Sequence, residues 1–200
     1  MTTPQAGWDS AYEAGARAPW DIGRPQPAFV RLADSGLLGG RVLDAGCGSG
    51  EHALLAAARG ADAVGVDISP RAIERARRKA AERGLTARFE VADALSLGAL
   101  GLAFDVVIDS GLFHVFDDAD RARYVTGLAS VLASGGTCYL MCFSDRQPGE
   151  IGPRRVRQEE LRAAFSDGWA VTAIVAEAFE VNPGLGTPTA QAWLATIRRT

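Results

Sequence analysis

The run VLDAGCGSG at residues 42–50 decides how this chain folds. Val42, Leu43 and Ala45 form a short apolar run of strand length, and the Ala/Leu-rich EHALLAAAR at 51–59 reads as a helix. Gly46, Gly48 and Gly50 therefore fall in a strand-to-helix turn. Glycine permits the tight turn and lets a ligand approach the backbone, while free N–H groups at the helix start can meet a carboxylate or phosphate. Such a turn is equally compatible with no ligand at all. Acidic residues in the following strands sharpen the reading. Asp67 closes VGVDIS at 64–69, about 20 residues beyond the glycines, where a carboxylate accepts hydrogen bonds from ribose hydroxyls. Asp93 follows the next strand in EVADAL at 90–95, and Asp109 ends the one after.

The same alternation extends along the chain. Apolar runs at 41–45, 63–66, 87–91, 104–109 and 137–143 have strand length and are bounded by Gly or Asp. Helical patterns lie at 28–38, stopped by Gly39-Gly40, and at 51–59, 70–83 and 120–132, with Pro70 just inside a Ser69 cap. A parallel sheet covered by helices on both faces follows. The last third differs. After a helix at 158–165, strand-like runs at 169–181 and 189–197 are separated by Asn182-Pro183-Gly184-Leu185-Gly186. That loop is too short for a parallel crossover, which predicts an antiparallel C-terminal hairpin at the sheet edge.

A chain of 200 residues, 48% hydrophobic and 22% charged, can bury a full core as one domain without disulfides or metals. The net charge of -3 removes the broad attraction that non-specific nucleic-acid or anionic-membrane binding needs. Cys47, Cys138 and Cys142 lack zinc-ligand spacing, no metal site is expected, and a reducing cytoplasm fits. No basic-then-apolar leader and no apolar run of about 20 residues is present.

A nicotinamide dehydrogenase uses the same turn and the same ribose acid, but its fingerprint is Gly-x-Gly-x-x-Gly. Here the turn is Gly-Cys-Gly-Ser-Gly behind Asp44, and position 51 is Glu, which would repel a pyrophosphate. From about Arg41 onward the chain resembles the class I methyltransferases dependent on S-adenosylmethionine (SAM), whose hallmark is an acid before this glycine turn. The resemblance implies a Rossmann-like, doubly wound, seven-stranded and mostly parallel sheet ending in the hairpin. It also implies that Asp44, Gly46 and Gly48 lie near the methionine end of SAM, that Asp67 with Ile68 binds the ribose side, and that Asp93 with Ala94 holds the adenine edge. Asp109 would stand beside the cofactor and the chemistry.

The acceptor is read from other segments. DSGLF at 109–113 lacks the Asn/Asp-Pro-Pro-Tyr/Phe element of amino-methylating nucleic-acid enzymes. WDSAY at 8–12, PWDIGRPQPAF at 19–29, DSGLFHVF at 109–116 and GEIGPRRVRQEELRAAF at 149–165 resemble the thiopurine methyltransferase superfamily, nearest its bacterial heterocyclic toxin methyltransferases. Those enzymes methylate O, N or S of small planar heteroaromatic compounds, in detoxification or secondary metabolism, and neighbouring branches act on thiols or halides. The thiopurine enzymes carry Arg in the turn where this chain has Ser110, a departure from an anionic substrate preference. The resemblance implies residues 1–40 as lid and helix, 41–145 as SAM-binding core, and 146–200 as substrate loop and hairpin. It further implies S-adenosylhomocysteine as product, a monomer or weak homodimer, and a small-molecule acceptor. A SAM-binding protein without catalysis remains the alternative.

Trp8 and Tyr12 either fold over a planar substrate or pack a helix onto the core. Trp20 with Arg24, beside the stiff Pro25 and Pro27, is expected to form a lid over SAM. His114 follows the fourth strand, where substrates sit in open α/β sheets. It could abstract a proton, orient a substrate atom, or be satisfied by backbone alone. His52 reads as a surface or cofactor-proximal residue. Arg155, in a basic loop with Arg154 and Arg157, is a substrate-side residue or an exposed loop cation.

Overall fold

A short apolar strand flanked by turns is stable only when both of its faces are covered, and the chain meets this by alternating strand and helix. The computed structural model describes residues 4–13, 18–150, 152–182 and 188–200. At its centre β1 (Arg41–Ala45) pairs in parallel with β2 (Asp62–Asp67) on one side and β4 (Phe104–Ser110) on the other. β3 (Ala87–Val91) extends the sheet beyond β2, and β5 (Leu132–Phe143) extends it beyond β4. β7 (Thr189–Arg199) runs antiparallel to β5, and β6 (Trp169–Glu180) antiparallel to β7, giving the order β3-β2-β1-β4-β5-β7-β6. The expected hairpin is there; its loop residues 183–187 lie outside the described residues.

Period-two alternation sorts the strand side chains into two cores. Val42, Ile108 and Met141 face one way, against Phe29 of α2 (Pro27–Asp34), Leu54 of α3 (Glu51–Ala58) and Ile73 of α4 (Pro70–Glu82). Leu43, Val107 and Leu140 face the other way, against Tyr124 and Leu128 of α5 (Asp118–Val131) and Leu161 of α6 (Gln158–Ala164).

Boundaries differ from expectation where a cap intervenes. α2 stops at Asp34 rather than 38 because Gly36, at φ +74°, takes the left-handed turn and returns its N–H to Ala33. α5 starts two residues earlier because the Asp117 carboxylate caps it through Asp120 N–H. β5 starts at Leu132, and its register on β4 shifts between Phe104 and Val106. A helix α1 (Pro4–Ser10), carrying Trp8, forms where the sequence suggested only an arm. No helix among the described residues is long and apolar enough to cross a membrane.

β1 is flanked by β2 and β4, so the chain reverses its direction of sheet growth between β1 and β4. The crevice beyond the carboxyl ends of these strands is where ligands bind in such sheets.

Candidate active site

Every glycine of the turn after β1 has positive φ, and each position is closed to a larger residue. A Cβ on Gly46 would come within 3.0 Å of Leu112, and one on Gly48 within 2.6 Å of the Tyr12 hydroxyl. A Cβ on Gly50 would lie 2.7 Å from Ala76 Cβ. Asp67, the last residue of β2, holds this turn in shape. Its Oδ2 accepts from Gly48 N–H and its Oδ1 from Ser69 N–H, both at 2.8 Å. Burial raises its pKa against those hydrogen bonds. Asp93 is exposed and caps the 3-10 turn Ala94–Leu100 through Leu95 N–H. Gly46, Gly48, Asp67, Ile68, Asp93 and Ala94 all line one cavity of about 1090 Å³.

Asp44 and Asp109 were expected in contact with the cofactor, and the structure places them beneath the loops instead. Neither lines the cavity. Asp44 is buried and accepts from Ala53 N–H in the first turn of α3. Asp109 is buried and accepts from Leu112 and Phe113 N–H, fixing the turn after β4. Burial, reinforced for Asp44 by Asp67 and Asp109, raises both to about 7. The folded protein therefore holds these protons more tightly than the unfolded chain, whose carboxyls are ionised above about pH 5. Their contribution to stability is fully present below about pH 4, declines as the unfolded carboxyls ionise, and its last part is lost as pH rises through about 7. The melting temperature is expected to be lower at pH 8 than at pH 6.5, by the equivalent of about 1 kcal/mol, with Asp109→Asn flattening the difference in a thermal melt.

Glu51 at the start of α3 does line the cavity, but its charge is matched from α4. Burial opposes its ionisation; Arg83 and Lys79, each within 2.8 Å, outweigh that and hold its carboxyl below the usual range.

The N-terminal arm both packs and covers. Tyr12 is buried, accepts from Trp20 Nε1 at 3.1 Å, and carries the Arg75 guanidinium on its ring. Trp8 meets Trp20 edge-on at 5.5 Å, and Trp20 stays 46% exposed at the cavity rim. Asp9 fastens the arm to Ser69 and Arg71 at the start of α4. A second fastening comes from the C-terminal hairpin. Asn182 Nδ2 donates to Ala18 and Asp21 carbonyls, and the Gln26 side chain pairs with both backbone groups of Glu180. Arg24, expected over SAM, lines the cavity but is ion-paired to Glu180 at 2.5 Å. His52 accepts Gln26 N–H through Nε2 and sits edge-on to Phe29, and burial lowers its pKa to about 4. Gln26, Asn182 and His52 as fasteners were not legible, because nothing local in the sequence links residue 26 to residue 180. Asn182→Ala is expected to loosen the arm and weaken S-adenosylhomocysteine binding about tenfold by calorimetry, the worth of one or two lost hydrogen bonds.

A group of aromatic rings also lines the cavity. Ser110 ends β4, Gly111, Leu112, His114 and Phe116 come from the turn after it, Phe143 from the end of β5 and Phe179 from β6. His114 is buried, and its Nδ1 accepts the Phe143 N–H at 2.9 Å. Its ring lies 5.1 Å from Phe143 and 6.0 Å from Phe179. Arg155 is not in the lining. It turns into its own loop, donating to the carbonyls of Gln147, Pro148, Gly149 and Pro153, and stacks over Phe143 from behind. Arg154 reaches the rim instead, held by Asp118 and Glu160.

A seven-stranded sheet of this order, a glycine turn after β1, an acid closing β2 and one cavity across the switch point together define a class I methyltransferase architecture. Sequence comparison agrees, since a methyltransferase-domain family matches residues 42–136. The 2-heptyl-1-hydroxyquinolin-4(1H)-one methyltransferase of Mycobacteroides abscessus is 41% identical over 165 residues, covering 81% of this chain and 73% of that protein. The chain belongs to the SAM-dependent methyltransferases. A probable thiol methyltransferase 2 of Arabidopsis thaliana is 28% identical over 190 residues, covering 94% and 84% of the two chains. A structure solved in work on the conversion of a disulfide bond into a thioacetal group during echinomycin biosynthesis superposes with a TM-score of 0.87 at 38% identity, covering 98% and 92%.

Proposed function

We propose that this enzyme passes the methyl group of SAM to O, N or S of a small, planar heteroaromatic compound. The observation that carries the reading is that one cavity is lined both by the glycine turn with Asp67 and by the mutually packed rings of His114, Phe143 and Phe179. The lining at the glycine turn fits SAM. The backbone at Gly46 and Gly48, bare of side chains, admits an amino-acid moiety, Asp67 offers a carboxylate to ribose hydroxyls, and Ile68, Asp93, Ala94 and Leu95 suit a flat purine with polar edges. When bound, SAM supplies a methyl carbon attached to a sulfonium, a good leaving group.

The chain's own residues then have to hold an acceptor in line and keep water out. The packed rings of Phe143 and Phe179 suit a planar acceptor, and Trp8 and Trp20, edge-on to each other in the lining, would help exclude water. Arg24 and Arg154, the described arginines in the lining, are both paired with carboxylates. A ring with no charge beyond that of its reacting atom suits that lining better than an acceptor with a separate permanent anionic group, in keeping with Ser110. The quinolone named for the Mycobacteroides relative is a compound of this class. The thiol methyltransferase relative supports a second reading, a thiol as acceptor against the same rings. In this proposal the chain is one catalytic domain, a monomer or weak homodimer, working in a reducing cytoplasm that suits its three free buried cysteines.

Phe143→Ala and Phe179→Ala are expected to raise the acceptor KM about tenfold, the worth of a lost ring contact, with the SAM KM unchanged. Equal losses for both substrates would move the acceptor elsewhere. Trp20→Ala is expected to lower both SAM affinity and turnover about tenfold; unchanged values would reduce the arm to packing.

A further inference from the structure

His114 has a definite tautomer. A backbone N–H can only donate, so the Nδ1 that accepts from Phe143 carries no proton, and in the neutral ring the proton is on Nε2. No described residue bonds Nε2. It faces the space beside Gly111, where an added Cβ would lie 3.4 Å from Nε2 and 3.7 Å from Phe179 Cζ. His114, Gly111 and Phe179 all line the cavity. Turning the ring to present a lone pair would strand the Phe143 N–H inside the core.

The surroundings resist a charged ring. Arg121 on α5 and Arg155 on the loop before α6 face it with positive charge. Asp109 on β4 spends its carboxyl on the Leu112 and Phe113 N–H groups, and β5 and β6 present the uncharged rings of Phe143 and Phe179. Burial, with the two arginines, lowers the His114 pKa to about 3. A neutral imidazole whose cavity-facing nitrogen already bears hydrogen has no lone pair with which to take a proton.

We propose that His114 is a fixed hydrogen-bond donor rather than a base, selecting acceptors whose oxygen or sulfur has ionised before binding, and that Gly111 keeps this donor open to them. The inference rests on the aromatic-acceptor reading above. An oxyanion or thiolate accepts from Nε2–H with one lone pair. With another it forms the new bond to the methyl carbon while the electrons of the broken C–S bond stay on sulfur. The proton has left to solvent beforehand, so none is transferred in the site. The donor is worth more to an anion than to a neutral hydroxyl, which makes acceptor acidity a selectivity filter.

The experiment is the pH profile of kcat/KM for thiophenols and hydroxyquinolines of graded acidity. The expected inflection moves with each acceptor's own pKa, and no inflection is common to all. His114→Asn keeps an acceptor for Phe143 N–H but removes the donor reaching the cavity; it is expected to lower kcat/KM about 10- to 100-fold at every pH. His114→Gln, whose amide N–H can stand where Nε2–H stood, is expected to recover part of this. Gly111→Ala is expected to raise the acceptor KM while S-adenosylhomocysteine affinity stays unchanged. An inflection at one fixed pH for all acceptors, lost in His114→Asn, would make His114 a base and overturn the proposal, as would wild-type rates in His114→Asn. The wild-type profile alone carries the test if a variant fails to fold. Binding of S-adenosylhomocysteine with no turnover of any aromatic acceptor would overturn the underlying reading, and this one with it.

Discussion

Asp67→Ala is expected to weaken S-adenosylhomocysteine binding about 100-fold or more in a calorimetric titration, and to lower the melting temperature of the unliganded protein as well. The two effects have separate origins. In the empty site the carboxylate accepts from Gly48 and Ser69 N–H at 2.8 Å, tying the glycine turn to the start of α4. Removing it frees two backbone donors, at about 1 kcal/mol each. In the proposed complex the same group would accept from ribose hydroxyls. Two charge-assisted hydrogen bonds at about 1.5 kcal/mol each amount to about 100-fold in affinity. Asp67→Asn retains a neutral acceptor and should fall between. A variant that melts lower but binds with wild-type affinity would show Asp67 to be a strut only.

Gly50→Val is expected to be the most damaging single substitution in the glycine turn, at about 3–5 kcal/mol and a melting temperature lower by roughly 10 °C. Two costs add. Gly50 has φ +87°, a left-handed conformation that a β-branched residue resists by about 1–2 kcal/mol. The new Cβ would also sit 2.7 Å from Ala76 Cβ and 2.8 Å from Phe89, where α4 and β3 close on the turn. Gly60 separates the costs. Its φ of +88° is nearly the same, but nothing lies within 4 Å of a Cβ there. Gly60→Val should therefore show the backbone cost alone. Equal losses at the two positions in a denaturant melt would remove the packing argument.

The sheet was legible because each strand carries an apolar run ended by Gly or Asp, and the edge hairpin because a five-residue connection cannot make a parallel crossover. The roles of the acids were legible only in part. Asp44, Asp67 and Asp109 look alike as acids at strand ends, yet Asp44 and Asp109 each sit one residue inside the strand terminus while Asp67 is the terminus itself. The inner position buries the carboxyl under the loop, where backbone N–H groups satisfy it. The terminal position leaves it at the cavity wall. Arg154 and Arg155 are adjacent in sequence, and only the path of their loop decides that one reaches the rim while the other serves loop carbonyls. Helix α1 has too few residues to show a period, and its position comes from Asp9 bonding Ser69 and Arg71 some 60 residues on.

The most direct test of the central claim is turnover of SAM by the purified chain against hydroxyquinolines, phenols, thiols and halides, read as S-adenosylhomocysteine release and product mass. The predicted result is a singly methylated planar heteroaromatic, formed in preference to halide or alkyl thiol and slowed by Phe143→Ala or Phe179→Ala. Methylation of halide or alkyl thiol alone, or tight S-adenosylhomocysteine binding with no aromatic product, would contradict it.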